Sequence, residues 1–307
     1  MNILPAQLLG GLALGASLVL KAPLGLDLHL PVPEGNPLTR EKIALGRKLF
    51  FDKRLSRDGT VACATCHDPA RAFSDGRPVP TGMNAIRGAR NAPALINRGY
   101  GRHFFWDGRA PTLELQVVQP IRNPTELGLT DEEVERRTGR TVAEVTAALA
   151  SYVRTIRSGD SRFDRYTAGE RNALTPLEKS GLDVFRGRGG CTTCHLGPSF
   201  TDEQFHNTGV AWHDGRLLDS GRFNVTGAPR DRGAFKTPTL REVARTAPYM
   251  HDGSLATLEA VVDFYSEGGR ANPFLDPEMR PRDFTIEEKR ALVAFLRALT
   301  GRVREGL

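Results

Sequence analysis

Cysteine is scarce in this chain, with four in 307 residues, and blocks of five or six like charges are missing. Although the net charge is +6, the absence of a basic block leaves a nucleic-acid-binding function with little support. Apart from residues 3–20, no uncharged stretch is long enough to span a bilayer. A hydrophobic content of 39% with 25% charged residues excludes a disordered chain. These absences leave a globular protein in which the few cysteines carry the first specific signal.

The four cysteines form two identical C-x-x-C-H motifs, at residues 63–67 and 191–195. This spacing is typical of c-type haem attachment, in which two thiols bond to one edge of the porphyrin. The adjacent histidine then ligates the iron. The sequence therefore predicts two covalently bound haem c groups, held by Cys63, Cys66, His67, Cys191, Cys194 and His195.

Three other uses of these cysteines fit less well. A zinc site with four thiolates usually has its pairs about 15–20 residues apart, whereas 124 residues separate Cys66 from Cys191. A thioredoxin-like redox pair explains one motif but not two with histidine in the same place. A disulfide within each pair is strained and leaves both histidines unexplained.

The N-terminal 37 residues are predicted to be a signal peptide or membrane anchor followed by a linker. Residues 3–20 contain no charge, and residues 22–37 are rich in proline and glycine. The sequence leaves open whether this segment is cleaved. It has neither a basic start nor a clear small-x-small cleavage site, and its eighteen uncharged residues are just enough to cross a bilayer. In both cases the body of the protein is exported, so we expect a periplasmic location, with membrane attachment only if the segment is uncleaved.

The remainder of the chain is an internal repeat. An offset of 145 residues pairs Pro93 with Pro238, and residues 112–114 with residues 257–259. Threonine-x-x-glutamate capping boxes and apolar residues at helical spacing predict helices in both copies. The sequence therefore predicts an all-α fold of two tandem cytochrome c-type domains, residues 38–165 and 166–307, with Gly159 and Gly301 as C-terminal helix caps.

The two copies differ on the helix expected to face the far side of each haem. In the second copy, Tyr265 continues the apolar face of its helix, and a phenol is able to ligate iron. The first copy has Pro120 at the corresponding position, and Gln116 one turn earlier. This difference predicts that the iron held by His195 is ligated by Tyr265, whereas the iron held by His67 has an open position. A tyrosine packed in the core and a glutamine at a helix surface are the ordinary alternatives.

Together with the two haem motifs, residues 105–109 (Phe-Trp-Asp-Gly-Arg), 123–126 (Asn-Pro-Thr-Glu) and 247–253 (Ala-Pro-Tyr-Met-His-Asp-Gly) resemble the bacterial di-haem cytochrome c peroxidase/MauG family. The resemblance implies two cytochrome c domains, hydrogen peroxide as oxidant and a calcium ion at the domain interface. Asn91, Thr246 and Pro248 match the calcium positions, the last two through backbone carbonyls. Trp106 matches the tryptophan between the haems, and Gln116, Pro120 and Glu126 match the pocket of the peroxide-binding haem.

Two departures from the ordinary peroxidases are similar to the MauG-like subtype. Tyr265 stands where those enzymes have methionine, and the loop between His67 and His103 lacks their displaceable histidine. Met83 is the one plausible sulfur ligand in that loop, and a structural or pocket role is expected for His103. The expected partner is a small electron donor, either a cytochrome c or a cupredoxin, or else a protein substrate. The alternative function is a di-haem electron-transfer cytochrome without peroxidase activity.

Overall fold

The computed structural model describes residues 18–307, in which helices are joined by long loops. The α-helices of this part are α1 (Arg40–Phe50), α2 (Cys63–Cys66), α3 (Leu113–Arg122), α4 (Asp131–Thr138), α5 (Val142–Thr155), α6 (Arg162–Thr167), α7 (Pro176–Arg186), α8 (Phe223–Thr226), α9 (Leu258–Ser266) and α10 (Ile286–Ala298). The strands are β1 (Arg157–Gly159), β2 (Phe205–His206), β3 (Trp212–His213), β4 (Arg216–Leu217), β5 (Phe235–Lys236) and β6 (Arg302–Arg304).

These strands show that the prediction of an all-α fold is wrong. They form three two-stranded antiparallel sheets, in which β1 pairs with β6, β2 with β5 and β3 with β4. Each strand spans only two or three residues, so no alternation of apolar and polar residues is visible in the sequence. The pairing gives the backbone N–H and C=O groups of neighbouring loop segments hydrogen-bond partners. The fold is a helical haem-protein architecture whose loops are fastened by small sheets.

Side-chain caps explain where the longer helices begin. The predicted capping boxes at Thr141, Thr175 and Thr285 are confirmed at the starts of α5, α7 and α10. In each box the hydroxyl accepts from the backbone N–H three residues later, and the glutamate there accepts from the threonine N–H. Two backbone donors that a helix start leaves free are satisfied in this way.

The same close helix crossing occurs in both halves of the chain. Helix α1 packs on α5, and α7 packs on α10. A Cβ atom on Gly46 would lie 1.9 Å from the carbonyl oxygen of Ala148, and one on Gly181 would lie 1.9 Å from that of Ala291. Because glycine alone leaves room for such an approach, the matching pairs support the internal repeat found in the sequence.

Each half also has its own hydrophobic cluster. The first gathers side chains from Leu49 to Ile156, with Cys63 packed against it. The second gathers side chains from Leu174 to Leu299, with Cys191 packed against it. Each haem motif therefore lies at the edge of an apolar core, where a porphyrin face is able to complete the packing.

The predicted terminal caps Gly159 and Gly301 are not helix caps, so that prediction is wrong. The C-cap residues of α5 and α10 are Ile156 and Leu299. Gly159 instead lies in β1, opposite Arg302 of β6. The glycines therefore allow the two segments to lie close together where the chain end returns to the first half.

The proline-rich segment expected to be a linker packs on the body wherever it is described. The carbonyl of Gly25 accepts a hydrogen bond from Arg241 at 2.6 Å, and Leu26 and Leu38 are buried. Most of the predicted signal or anchor segment, residues 3–17, lies outside the described residues. Between residues 18 and 307, no helix is long and apolar enough to cross a membrane.

Candidate active site

The first haem motif lies on helix α2 and ends at a histidine whose ring is fixed by the backbone. Nδ1 of His67 lies 3.1 Å from the carbonyl oxygen of Phe73. A carbonyl only accepts, so Nδ1 carries the proton and Nε2 keeps its lone pair for a metal. Burial lowers the pKa of His67 to about 4, which keeps the ring neutral. The histidine is therefore prepared as an iron ligand before any haem is added.

The second motif repeats this arrangement in a short 3₁₀ turn, Cys191–Thr193. Nδ1 of His195 lies 2.9 Å from the carbonyl oxygen of Phe200, and burial lowers the pKa of the ring. Burial also raises the pKa of the thiols, to about 12 for Cys63 and about 11 for Cys191. All four cysteines are free, as thiols that add to haem vinyl groups must be.

A single cavity connects the two motifs. Its volume and its lining residues show whether two haems fit. Its volume is about 1300 Å³, and it is lined by all four cysteines and both motif histidines. This exceeds the roughly 300–1,000 Å³ of ordinary small-molecule sites. Within residues 18–307, no group of potential metal ligands contains both cysteine pairs, which argues against the zinc alternative. The residues present fit two covalently bound haems.

Helix α9 forms the cavity wall near the second motif. Val261, Val262 and Tyr265 all line the cavity, with Tyr265 on the helical face predicted from the sequence. Burial raises the pKa of the Tyr265 phenol far above its ordinary value, and the Cys194 and Cys191 thiols act in the same direction. An anionic phenolate at this position therefore requires a nearby positive charge, which a ferric iron supplies.

Helix α3 forms the corresponding wall near the first motif. Gln116, Val117 and Pro120 line the cavity, with Pro120 inside the helix. Proline has no side-chain donor atom that is able to ligate a metal. The structure thus brings the two differing residues, Pro120 and Tyr265, to the same cavity.

Glu126 lies in the turn after α3 and also lines this cavity, where its side chain is exposed. Asn123 Nδ2 donates a hydrogen bond of 2.7 Å to Oε1 of Glu126. Partial desolvation by the surrounding protein raises the pKa of Glu126, although the hydrogen bond from Asn123 and the charge of Arg109 oppose the shift. A carboxyl group with a raised pKa beside a reactant site is suited to exchanging protons.

Neither Met83 nor His103 is placed to ligate the first haem. Met83 is 3% exposed and belongs to the first hydrophobic cluster, and it does not line the cavity. His103 is also absent from the cavity wall, and its ring makes an edge contact with Phe205. The structural role expected for His103 agrees with this contact.

Trp106 lines the cavity that connects the two motifs and is held by backbone hydrogen bonds. Its Nε1 donates to the carbonyl of Asn91 at 2.9 Å, and its own carbonyl accepts from the N–H of Lys236 at 2.8 Å. Asn91 in turn donates its N–H to His251. Asn91, Thr246 and Pro248 line the same cavity, so the three predicted calcium residues share one region of the molecule.

Three charged groups at the cavity were missed by sequence reasoning. His206 lies between Asp202 and Asp276, Lys236 lies beside Glu203, and Arg109 lines the wall that carries Glu126. Arg109 belongs to the family motif at residues 105–109, but its position in that motif did not indicate a role at the cavity. His206, Asp276 and Lys236 come from distant segments, and no local pattern relates them.

Comparisons with known proteins agree with this geometry. The model of the di-haem cytochrome c peroxidase family matches residues 40–172. The chain is 41% identical over 298 residues to methylamine utilization protein MauG of Methylorubrum extorquens, covering 91% of this chain and 84% of that protein. It is 34% identical over 289 residues to cytochrome c551 peroxidase of Nitrosomonas europaea, covering 88% and 83%.

A solved structure shows the same fold. It belongs to a MauG-like protein associated with microbial copper homeostasis, and it superposes with a TM-score of 0.82 at 38% identity. The match covers 90% of this chain and 94% of the other. The di-haem peroxidase BthA of Burkholderia thailandensis superposes with a TM-score of 0.73 at 28% identity, covering 87% of each chain.

Proposed function

This chain belongs to the di-haem cytochrome c peroxidase family and is a di-haem c-type peroxidase, and from that premise we propose that its two haem sites have different tasks. Peroxide reacts at the site of His67, and the site of His195 and Tyr265 stores or relays oxidising equivalents. The observation that carries the proposal is the difference between the repeated helices. Tyr265 on α9 and Pro120 on α3 line the cavity beside their respective haem motifs.

When bound, the two haems would supply iron centres that exchange single electrons and react with peroxide. The protein supplies the orientation of their ligands. The carbonyls of Phe73 and Phe200 fix the tautomer and the ring angle of His67 and His195. This arrangement presents Nε2 of each ring toward the cavity.

Glu126 and Gln116 act on the peroxide itself. Glu126 takes the proton from the near oxygen and returns it to the leaving hydroxide, and Gln116 orients the peroxide by hydrogen bonding. The hydrogen bond from Asn123 holds the Glu126 carboxylate in one position for both transfers. General acid–base assistance of this kind contributes a rate factor of about 10²–10⁴.

Tyr265 makes the second site different from an ordinary thioether-ligated haem. Tyr265 would hold the iron of the second haem through its phenolate oxygen, and an anionic ligand would favour the oxidised state and lower the reduction potential. Trp106 relays the electron between the sites. Its indole Nε1 donates to the carbonyl of Asn91, and its backbone carbonyl accepts from the N–H of Lys236 in the second half, so both ring and backbone are fixed.

A calcium ion bound by Asn91 and by the carbonyls of Thr246 and Pro248 holds this junction together. Oxygen donors of amide and carbonyl type suit this hard cation. The main chain supports the assignment, because the N–H of Asn91 donates to His251 at 2.7 Å and so fixes its segment beside residues 246–251.

The wider proposal retains the two haem-binding units, residues 38–165 and 166–307, and a periplasmic location. The electrons come from a small cytochrome c or cupredoxin, or the oxidising equivalents are spent on a protein substrate. Steady-state peroxide turnover with a reduced cytochrome or cupredoxin separates these two uses.

Electron paramagnetic resonance of the resting ferric holoenzyme tests the central asymmetry. We expect one high-spin signal from the site of His67 and one low-spin signal from the site of His195 and Tyr265. Peroxide should react without prior partial reduction. Two low-spin signals would contradict the open first site.

A further inference from the structure

The ring of His206 is bonded on both sides by carboxylates, at the edge of the second haem motif. Nδ1 lies 2.6 Å from an oxygen of Asp276, and Nε2 lies 2.9 Å from an oxygen of Asp202. A neutral imidazole has only one N–H, so it would direct a lone pair at one of these carboxylates. Both contacts are attractive only when the ring is an imidazolium.

Main-chain hydrogen bonds fix the backbone of all three residues. His206 lies in β2, opposite Phe235 of β5. The N–H of Asp202 donates to the carbonyl of Cys194 at 2.8 Å, and the N–H of Asp276 donates to the carbonyl of Asn207 at 2.9 Å. The side chains are between 14% and 23% exposed. The charges are therefore fixed in position and only partly screened by solvent.

The group lies against the sulfur that attaches the second haem. Donor atoms of Cys194, Asp202 and His206 all lie within 4.8 Å of one another, and His206 and Asp276 line the haem cavity. Once Cys194 is a thioether and both ring nitrogens hold carboxylates, no donor set for a separate metal remains. The hydrogen bonds to Asp202 and Asp276 raise the pKa of His206, in agreement with the imidazolium assigned from the geometry.

We infer that His206, with Asp202 and Asp276, is a positioning residue that sets the charge at the Cys194 edge of the second haem and thereby its reduction potential. The inference rests on the proposed haem attachment at Cys191 and Cys194. The cation favours the reduced iron, whereas the carboxylates favour the oxidised iron. The balance between them adjusts how readily this haem gives up an electron.

Two substitutions that remove opposite charges test the inference. His206→Gln removes the cation, and Asp276→Asn removes one anion and leaves the pair of His206 with Asp202. We expect the potential of the second haem to fall in the first variant and to rise in the second. A tenfold change in the reduction equilibrium, about 59 mV for one electron, is the expected scale.

The measurement is a spectroelectrochemical titration of the holoenzyme at pH 8. His213→Gln is the matched control, because His213 also lines the cavity but is bonded to Arg270 rather than to carboxylates. Opposite shifts beyond that control support the inference. Shifts of the same sign, or none, overturn it, because a merely structural role does not follow the sign of the removed charge.

Haem content separates this result from a failure of the proposed function. A pyridine haemochrome assay of the parent protein should give two haem c per chain, and a value of one would refute the attachment itself. If His206→Gln does not mature, Asp276→Asn still decides, because Asp276 is 20% exposed and comes from a segment 70 residues beyond His206 in the sequence. An unshifted potential in that variant overturns the inference.

Discussion

Replacing Glu126 with glutamine should slow the reaction with peroxide while leaving both haems in place. In the parent, Asn123 Nδ2 lies 2.7 Å from Oε1 of Glu126. The substitution keeps the length of the side chain and an oxygen that is able to accept this hydrogen bond. What it removes is a carboxylate able to accept a proton. The loss should therefore fall on the chemical step rather than on the architecture of the cavity.

The magnitude follows from the role of the carboxylate. Proton transfer by a positioned side chain contributes a factor of about 10²–10⁴. At about 1.36 kcal/mol per tenfold change, the barrier should rise by about 2.7–5.4 kcal/mol. The exposed position of Glu126 on the cavity wall places the expected loss toward the lower end, with tenfold as the minimum.

The pH dependence has a definite sign. Desolvation raises the pKa of Glu126 above its ordinary value, and the carboxylate acts as a base only when it is ionised. The rate in the parent should therefore fall as the pH decreases through this raised pKa, and the acid limb should vanish in Glu126→Gln. Asn123→Ala removes a hydrogen bond that favours the ionised form, so it should move the limb to higher pH.

Stopped-flow spectroscopy of the ferric holoenzyme, with peroxide in excess, measures this step directly from the Soret band. The resting spectra and the haem content of parent and variant serve as controls. A variant that reacts within threefold of the parent rate would refute the assignment of Glu126. So would an unchanged acid limb.

Three further changes test other parts of the proposal. Tyr265→Phe should convert the low-spin ferric signal of the second haem to high spin, and an unchanged signal would show that the phenol is not a ligand. Chelation with EGTA should release one calcium ion per chain and slow peroxide turnover, whereas Asn91→Ala should be isolated with less calcium; a parent free of calcium by mass spectrometry would refute the site. Glu203→Gln should lower the free energy of unfolding by about 3–5 kcal/mol, because it leaves Arg98 and the buried Lys236 beside a neutral group. Despite its burial, these cations hold the pKa of Glu203 far below its ordinary value, so the loss seen by denaturant titration should be full above about pH 4.3 and shrink as the pH falls further.

Local sequence patterns predicted the parts of the site that are themselves local. The C-x-x-C-H spacing fixes three haem contacts within five residues, and the capping boxes fix helix starts within four. The internal repeat then related α3 to α9, which is why Pro120 and Tyr265 could be compared before their positions were known. In these cases the chemistry and the chain neighbours coincide.

The features that escaped prediction are those made by distant segments. The partners of His206 include Asp276, which is 70 residues away, and the strand β1 finds its partner β6 at the end of the chain. Two- and three-residue strands carry no periodicity, so the all-α expectation had no signal to correct it. The repeat gave no help with His206 either, because the offset of 127 that relates Phe73 to Phe200 places a valine, Val79, at the corresponding position.

The junction between the halves shows how duplication produced two unlike sites from one plan. The N–H of Asn91 donates to the carbonyl of His251 at 2.7 Å, and the N–H of Lys236 donates to the carbonyl of Trp106 at 2.8 Å. The two donors, Asn91 and Lys236, are 145 residues apart, and so are the two acceptors, Trp106 and His251. The two contacts are therefore copies of one interaction.

The side chains at these copies have diverged. On one side stands the amide of Asn91, beside the proposed calcium ligands. On the other stands the ammonium of Lys236, 8% exposed and 3.4 Å from the carboxylate of Glu203. A side-chain cation paired with a carboxylate needs no metal, whereas an amide among carbonyls offers only oxygen donors for one. Under the proposed assignments the same asymmetry holds at both places: one copy would depend on an added ion or leave a position open for a reactant, whereas the other supplies the group from its own sequence.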